Sequence, residues 1–352
     1  MQKSGRFRYR VIYNENLDDF ASNDYLGLAE DKNRLHRAIE RVSKYSAHAP
    51  KASMLVNGYH PIHEDFEIAV AKINGFEDAI MVGSGYLANI ALIESLVRKN
   101  DTLIIDEEYH ASGIMASNLV KGRVVTFRHN DAEDLLYKIQ QYRSNRVIVA
   151  VEGIYSMSGD ILNRDIFKVV EEEETILIVD EAHSSGTLGK MLLGVFDYYD
   201  IKPAPNHIKM GTLGKAYGSY GAYICASFHI IEYLQNRGKP IIYSTAPSII
   251  DTALALENIE YVQNNFRNFK HQLTQRREVV KEVLGIDVKS QILAIKPKGI
   301  SSEDIIKLQE SLLHKGFLVG AIRPPTVSEP ILRIILRVGT SIERLRMLLY
   351  SI

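Results

Sequence analysis

Between about residues 64 and 227, short β-branched and apolar runs alternate with helix-patterned segments, and this alternation constrains the fold of the 352-residue chain most tightly. The runs are "DAIMVG", "DTLIID", "RVVTF", "RVIVAVE", "TILIVDE", "HIKMG" and "GAYICAS". Each is apolar on both faces, the pattern of central strands in a mostly parallel sheet covered by helices. Past residue 250 a helical stretch leads into a second α+β unit carrying "ILAIKPKG", "FLVGAIRPPTV" and "ILRIILRVG". The expectation is an α/β fold with a large domain on a mostly parallel seven-stranded sheet, one strand per run, and a smaller C-terminal α+β domain. The expected divisions are an N-terminal segment (1–50), a large domain (51–250), and a connecting helix with the small domain (251–352).

In such sheets chemistry gathers in the loops just past the carboxyl ends of strands. The residues standing there are Gly83-Ser84-Gly85-Tyr86, His110, Ser156, Asp180, His183, Thr212 and Lys215. Asp180 opens the letters DEAH, the acidic signature of many nucleic-acid-dependent ATPases. That chemistry also needs a phosphate loop, G-x-x-x-x-G-K-[ST], upstream. None precedes Asp180. The two Gly-Lys pairs, in "GTLGKML" and "GTLGKAYG", follow it and lack the hydroxyl residue that magnesium requires.

Charge points the same way. With 42 basic and 43 acidic residues the formal net charge is −1, which does not suit a chain whose main task is neutralising phosphates, so no nucleic-acid partner is expected. The single cysteine, Cys225, rules out an internal disulfide framework or a thiolate metal site and reads as a buried strand thiol. His60 and His63 in "HPIHE" match neither H-E-x-x-H nor H-x-x-E-H, so no metal is expected and the pair reads as a helix-start feature. No apolar run reaches membrane-spanning length and the first residues lack an apolar leader core, so a cytoplasmic protein without membrane association is expected.

The strand-end residues suit a cofactor with a phosphate, an aldehyde and a ring nitrogen that stays protonated, the requirements of pyridoxal 5'-phosphate. Asp180 can hold the ring nitrogen and Lys215 can take the aldehyde covalently. Gly83-Ser84-Gly85, at the start of the apolar helix "YLANIALIESLV", offers backbone N–H groups to a phosphate. His110 can lie on the ring face, and His183 can reach the ring hydroxyl.

"DEAHSSG" followed by "GTLGKAYGSYGAY" resembles the α-oxoamine synthases, fold type I pyridoxal-phosphate enzymes that join an amino acid to an acyl thioester with loss of carbon dioxide. The similarity extends to "FASNDYLGL", "GYHPIHEDFEIAVAKING", "VGSGYLAN", "DEEYHASG" and "VEGIYSMSGD". Within that family, "AIRPPTV" and "IIYSTA" are similar to the subgroup that uses L-alanine and a pimeloyl thioester at the first dedicated step towards biotin. The resemblance implies that Lys215 binds the cofactor and Asp180 pairs with its ring nitrogen. It implies that His183 and Ser156 meet the ring oxygen, that His110 stacks on the ring, and that Gly85, Tyr86 and Thr212 help bind it. Thr245 would reach the phosphate across a homodimer interface, so active sites would be shared. Asn23 and Arg333 would hold the amino-acid carboxylate, and Thr326, after two prolines expected to keep the backbone extended, would line the acyl channel. The family's N-terminal substrate arginine has no clear counterpart; Arg6, Arg8 and Arg10 are the candidates. The alternatives are a relative using glycine and an acetyl donor, and a catalytically silent subunit of the same fold.

Overall fold

The structure, a computed structural model, describes residues 10–297 and 299–352. By its internal packing the chain forms two compact units: a larger one of Leu28–Tyr155 and Ile161–Arg267, and a smaller one assembled from residues up to Gly27, Ser156–Asp160 and Asn268–Ile352.

The larger unit is organised by a seven-stranded sheet. Its strands are β1 (Asp78–Val82), β2 (Thr102–Asp106), β3 (Arg123–Phe127), β4 (Val147–Glu152), β5 (Ile176–Asp180), β6 (His207–Thr212) and β7 (Ala222–Ala226). The order across the sheet is β1-β7-β6-β5-β4-β2-β3, and only β7 runs against the others. All seven apolar runs are strands. Six of them end at one edge, so their following loops converge there. β4 and β5 are buried almost throughout, as apolar runs covered on both faces must be. "RVVTF" departs from the expectation of a central strand: β3 pairs only with β2, forms the sheet edge, and leaves Val124 40% exposed.

The helix Gly85–Leu96 packs in the main core, where Ala88, Leu92 and Leu96 meet Ile105, Ile148 and Ile224. Apolar residues lie all around it because it is buried on most sides, with Ala88, Ala91, Leu92 and Ile93 all inaccessible. His60 and His63 serve the start of the helix Pro61–Asn74. The His60 ring accepts the Ile62 N–H, His63 accepts the His60 N–H, and His63 Nε2 lies 2.9 Å from the Pro247 carbonyl. Cys225 is fully buried in β7, and burial pushes its thiol up to about 12.

The smaller unit has a three-stranded antiparallel sheet of β8 (Ile292–Ile295), β9 (Gly320–Ile322) and β10 (Ile331–Ile335), ordered β9-β10-β8. Leu293, Leu332 and Ile334 pack with Ile305, Leu312, Leu345 and Phe20 in its core. Phe20 joins from the N-terminal part of the chain, where Asp18–Asp19 pair in parallel with Phe317–Leu318. Between β9 and β10 the backbone turns at the proline pair instead of staying extended. The Thr326 N–H donates to the Arg323 carbonyl at 3.0 Å, and the Pro324–Pro325 bond is cis. One helix, Ile249–Leu284, runs through the division between the units and is interrupted by non-helical backbone at Asn265.

Candidate active site

A cavity of about 230 Å³ opens at the strand-end edge of the large sheet. Sheet register builds its floor: Glu152 pairs with Asp180 across β4 and β5, and Asp180 pairs with Met210 across β5 and β6. All three line the cavity, together with Gly85, Tyr86, His110, His183, Thr212 and Lys215. Seven of the residues singled out in the sequence are thereby brought together from the ends of four strands and the loops that follow them.

Asp180 is buried at the last position of β5. One carboxylate oxygen accepts the Ala182 N–H at 2.9 Å and the other accepts the Asn89 side-chain amide at 2.9 Å. Lys215 follows β6 by three residues, and its Nζ lies 2.8 Å from His183 Nε2. The twin sequence around Lys190 behaves differently. That side chain is on the surface, paired with Asp200 at 2.9 Å.

His110 caps the short helix Ala111–Ser117, with Ser112 Oγ 2.7 Å from its Nδ1. Desolvation holds its pKa below the usual histidine range, against the pull of the Asp180 charge and with some help from Lys215. Ser84 caps the helix Gly85–Leu96, whose first residue packs so closely on β6 that a Cβ on Gly85 would stand 2.6 Å from Thr212 Cγ2. Thr212 Oγ1 is buried without a hydrogen-bond partner. Beneath the site Glu181 and Lys209 form a buried pair 3.9 Å apart; Glu181 also accepts from Ser184 and the Val195 N–H, and burial raises its pKa.

In the smaller unit, the buried Arg333 donates through Nε to the Ser156 carbonyl at 2.8 Å and through Nη2 to Asn23 Oδ1 at 3.1 Å. These bonds gather Asn23, Ser156 and Arg333, three of the expected substrate or cofactor residues. Thr326 is exposed on the β9–β10 turn, and Thr245 is exposed past the short helix Lys239–Ile242 of the larger unit. Arg10 is exposed, whereas Arg6 and Arg8 lie outside the described residues.

Four site residues were missed in the sequence: Asn89, Tyr109, Ser112 and Glu152. Two had a readable signal. Asn89 is the lone amide in the apolar helix "YLANIALIESL", and Glu152 ends the apolar strand "VIVAVE" as Asp180 ends "ILIVD". A polar group at such a position needs a partner or a task. Tyr109 and Ser112 sit in a loop and a helix start with no comparable signal.

The family described as aminotransferase class I and II matches residues 15–352. An 8-amino-7-oxononanoate synthase of Helicobacter pylori is 44% identical over 340 residues, covering 96% of this chain and 91% of that protein. A solved 8-amino-7-oxononanoate synthase of Francisella tularensis superposes with a TM-score of 0.79 at 27% identity, covering 96% of this chain and 97% of that one. A serine palmitoyltransferase variant from S. paucimobilis, with PLP and myriocin bound, superposes with a TM-score of 0.88 at 23% identity over 95% of this chain and 86% of its own. The fold is thus that of the fold type I PLP-dependent transferases.

Proposed function

The chain belongs to the aminotransferase class I and II family, and from that premise we propose that it is a homodimeric, cytoplasmic acyltransferase condensing L-alanine with a pimeloyl thioester. The products are 8-amino-7-oxononanoate, carbon dioxide and the free thiol, and the cofactor is pyridoxal 5'-phosphate. One observation carries the reading: a buried carboxylate at the end of one strand and a lysine amine three residues past its neighbour line the same cavity.

The residues present fit the cofactor. Thr212 Oγ1 is a buried polar atom without a partner, beside a helix start so close that a Cβ at position 85 would press on Thr212 Cγ2. A phosphate accepts hydrogen bonds from such a hydroxyl and from helix N-terminal N–H groups. Gly85, Tyr86 and Thr212 would therefore hold the phosphate, Lys215 the aldehyde, Asp180 the ring nitrogen, and His110 the ring face. His183 and Ser156 would meet the ring oxygen, and Thr245 of the second subunit would add a further phosphate contact. When bound, the cofactor supplies an electron sink for charge developing at the amino acid's α-carbon.

The chain supplies the rest. Asp180, its oxygens already oriented by Ala182 and Asn89, holds a proton on the ring nitrogen by charge in a desolvated site. The Lys215 amine removes the α-proton, acting in its neutral form. Asn23 and Arg333 hold the alanine carboxylate, and Thr326 borders the acyl chain. The α-carbon then bonds to the thioester carbonyl as the thiolate leaves, the carboxylate is lost as carbon dioxide, and a proton returns to the same carbon. The 44% identical relative named 8-amino-7-oxononanoate synthase supports this choice of substrates.

Two measurements test the proposal. Borohydride reduction of the cofactor-loaded protein followed by peptide mass spectrometry should find the label on Lys215; a label on Lys190 contradicts the assignment. Competition between pimeloyl and acetyl thioesters should favour pimeloyl by at least about tenfold in kcat/KM, since each buried methylene is worth about 0.8 kcal/mol. A preference for acetyl with glycine would place the chain with the acetyl-transferring relatives and leave the cofactor chemistry intact.

A further inference from the structure

The hydrogen bonds around Asn89 run in one direction only. The Ser112 backbone N–H can only donate, and it lies 3.2 Å from His110 Nδ1, so that nitrogen carries a lone pair and no proton. Ser112 Oγ is 2.7 Å from the same nitrogen, and its hydroxyl hydrogen must therefore point there. The oxygen's lone pairs are then free to accept from Asn89 Nδ2 at 2.9 Å. The same amide group reaches Asp180 Oδ2 at 2.9 Å, and Asn89 Oδ1 accepts from the Tyr109 hydroxyl at 2.8 Å.

Each link is set by its neighbour. Reversing the Asn89 amide would aim its oxygen at the Asp180 carboxylate, placing two acceptors together and losing both amide donations. Burial, with the charges of Asp180 and Glu152 nearby, keeps Tyr109 protonated and hence a donor. Asn89, Tyr109 and Ser112 are almost fully buried, so no bulk water competes for these bonds.

We propose that Tyr109, Asn89 and Ser112 are positioning residues that hold His110 as the neutral tautomer protonated on Nε2, tied through one amide to the orientation of Asp180. The free ring nitrogen of His110 is then a hydrogen-bond donor and not a base. The catalytic consequence rests on the function proposed above: proton abstraction falls to Lys215, while His110 can only donate. The tautomer itself follows from this chain's own bonds and requires no cofactor.

Long-range ¹H–¹⁵N correlation of histidine-labelled full-length protein at pH 7.5, with and without pyridoxal phosphate, reads the tautomer directly. His110 is assigned by its loss in His110→Gln. The wild type should show an unprotonated Nδ1 and a protonated Nε2 in both states. Ser112→Ala removes the 2.7 Å hydroxyl donor and leaves only the longer 3.2 Å backbone donor, so both nitrogens should move part of the way towards the average of the two tautomers, and Ser112→Thr should restore the wild-type pattern. In the same variants kcat should fall about tenfold in Ser112→Ala and recover in Ser112→Thr, with cofactor affinity changed by less than about threefold, the scale of one hydrogen bond. A wild-type His110 protonated on Nδ1 or doubly protonated overturns the proposal, as does a Ser112→Ala spectrum identical to wild type. If the protein proves to use different substrates, the tautomer result is unaffected, so the two readings fail separately.

Discussion

At the residue scale, Asp180 and Glu67 are buried carboxylates in opposite circumstances. Asp180 accepts two hydrogen bonds and is proposed to face a cation. Asp180→Asn should retain the cofactor yet lower kcat by roughly 10²-fold or more, because an amide cannot balance a charge in a desolvated site. Near-native turnover in a steady-state assay would rule out this role. Glu67 accepts from the Tyr59 hydroxyl at 2.6 Å and the Met81 N–H at 2.7 Å, but burial outweighs both bonds and pushes its pKa up to about 7. Between the usual carboxyl value and pH 7 the folded protein thus keeps a proton that the unfolded chain has released. Stability from this site is full at low pH and is lost as pH rises through that window, on the order of 3 kcal/mol in all. His207, pushed down to about 4 by burial, has the opposite slope, its contribution being lost as pH falls. Urea unfolding of Glu67→Gln should accordingly match wild type near pH 5 and exceed it above pH 7. A gap independent of pH would show that Glu67 is not the titrating group.

At the scale of elements, the start of the helix Gly85–Leu96 is where backbone and chemistry constrain each other most. A Cβ at position 85 would press on Thr212 Cγ2 at 2.6 Å, whereas one at position 83 would only touch Leu87 Cδ1 at 3.4 Å. Thr212 is β-branched and stiff, so it cannot yield cheaply. Gly85→Ala should cost about 1–3 kcal/mol of stability by overpacking, and a pyridoxal phosphate titration should show weakened binding. Gly83→Ala should change little in either thermal melt or titration. Equal effects of the two would disconnect the helix start from the cofactor. The helix itself was legible in the sequence, as were all seven strands, because apolar runs and turn residues act locally. The edge position of β3 and the turn at Pro324-Pro325 were not, because each depends on which distant segment lies alongside.

At the scale of the whole molecule, the larger unit presents unusually exposed apolar side chains on two adjoining segments. Val56 is 76% and Tyr243 80% exposed, and the Ala246 N–H donates to the Ala52 carbonyl at 3.0 Å, so the segments carrying them are neighbours. Apolar surface of this kind marks association sites. Thr245, the residue proposed to reach a partner's cofactor, lies between Tyr243 and Ala246. Light scattering should therefore find a dimer, and Val56→Asp with Tyr243→Asp should shift it towards monomer with loss of activity. Mixing an inactive Lys215 variant with an impaired Thr245 variant should restore part of the activity, since some mixed dimers hold one intact site. An active monomer, or no recovery on mixing, would contradict shared sites.

The amino-acid sequence by itself determined the succession of strands and helices and the residue types at the strand ends, because hydrophobic periodicity and turn chemistry operate over a few neighbouring residues. It thereby specified that Asp180, His183, Thr212 and Lys215 would stand at one edge of a sheet. Only the tertiary structure decided which strands pair and in what register, and hence that Glu152, Asp180 and Met210 lie side by side. It alone joined Tyr109, Asn89, Ser112 and His110 into one directed chain of hydrogen bonds, because those bonds depend on the close packing of the helices Gly85–Leu96 and Ala111–Ser117, whose contacts no local pattern encodes.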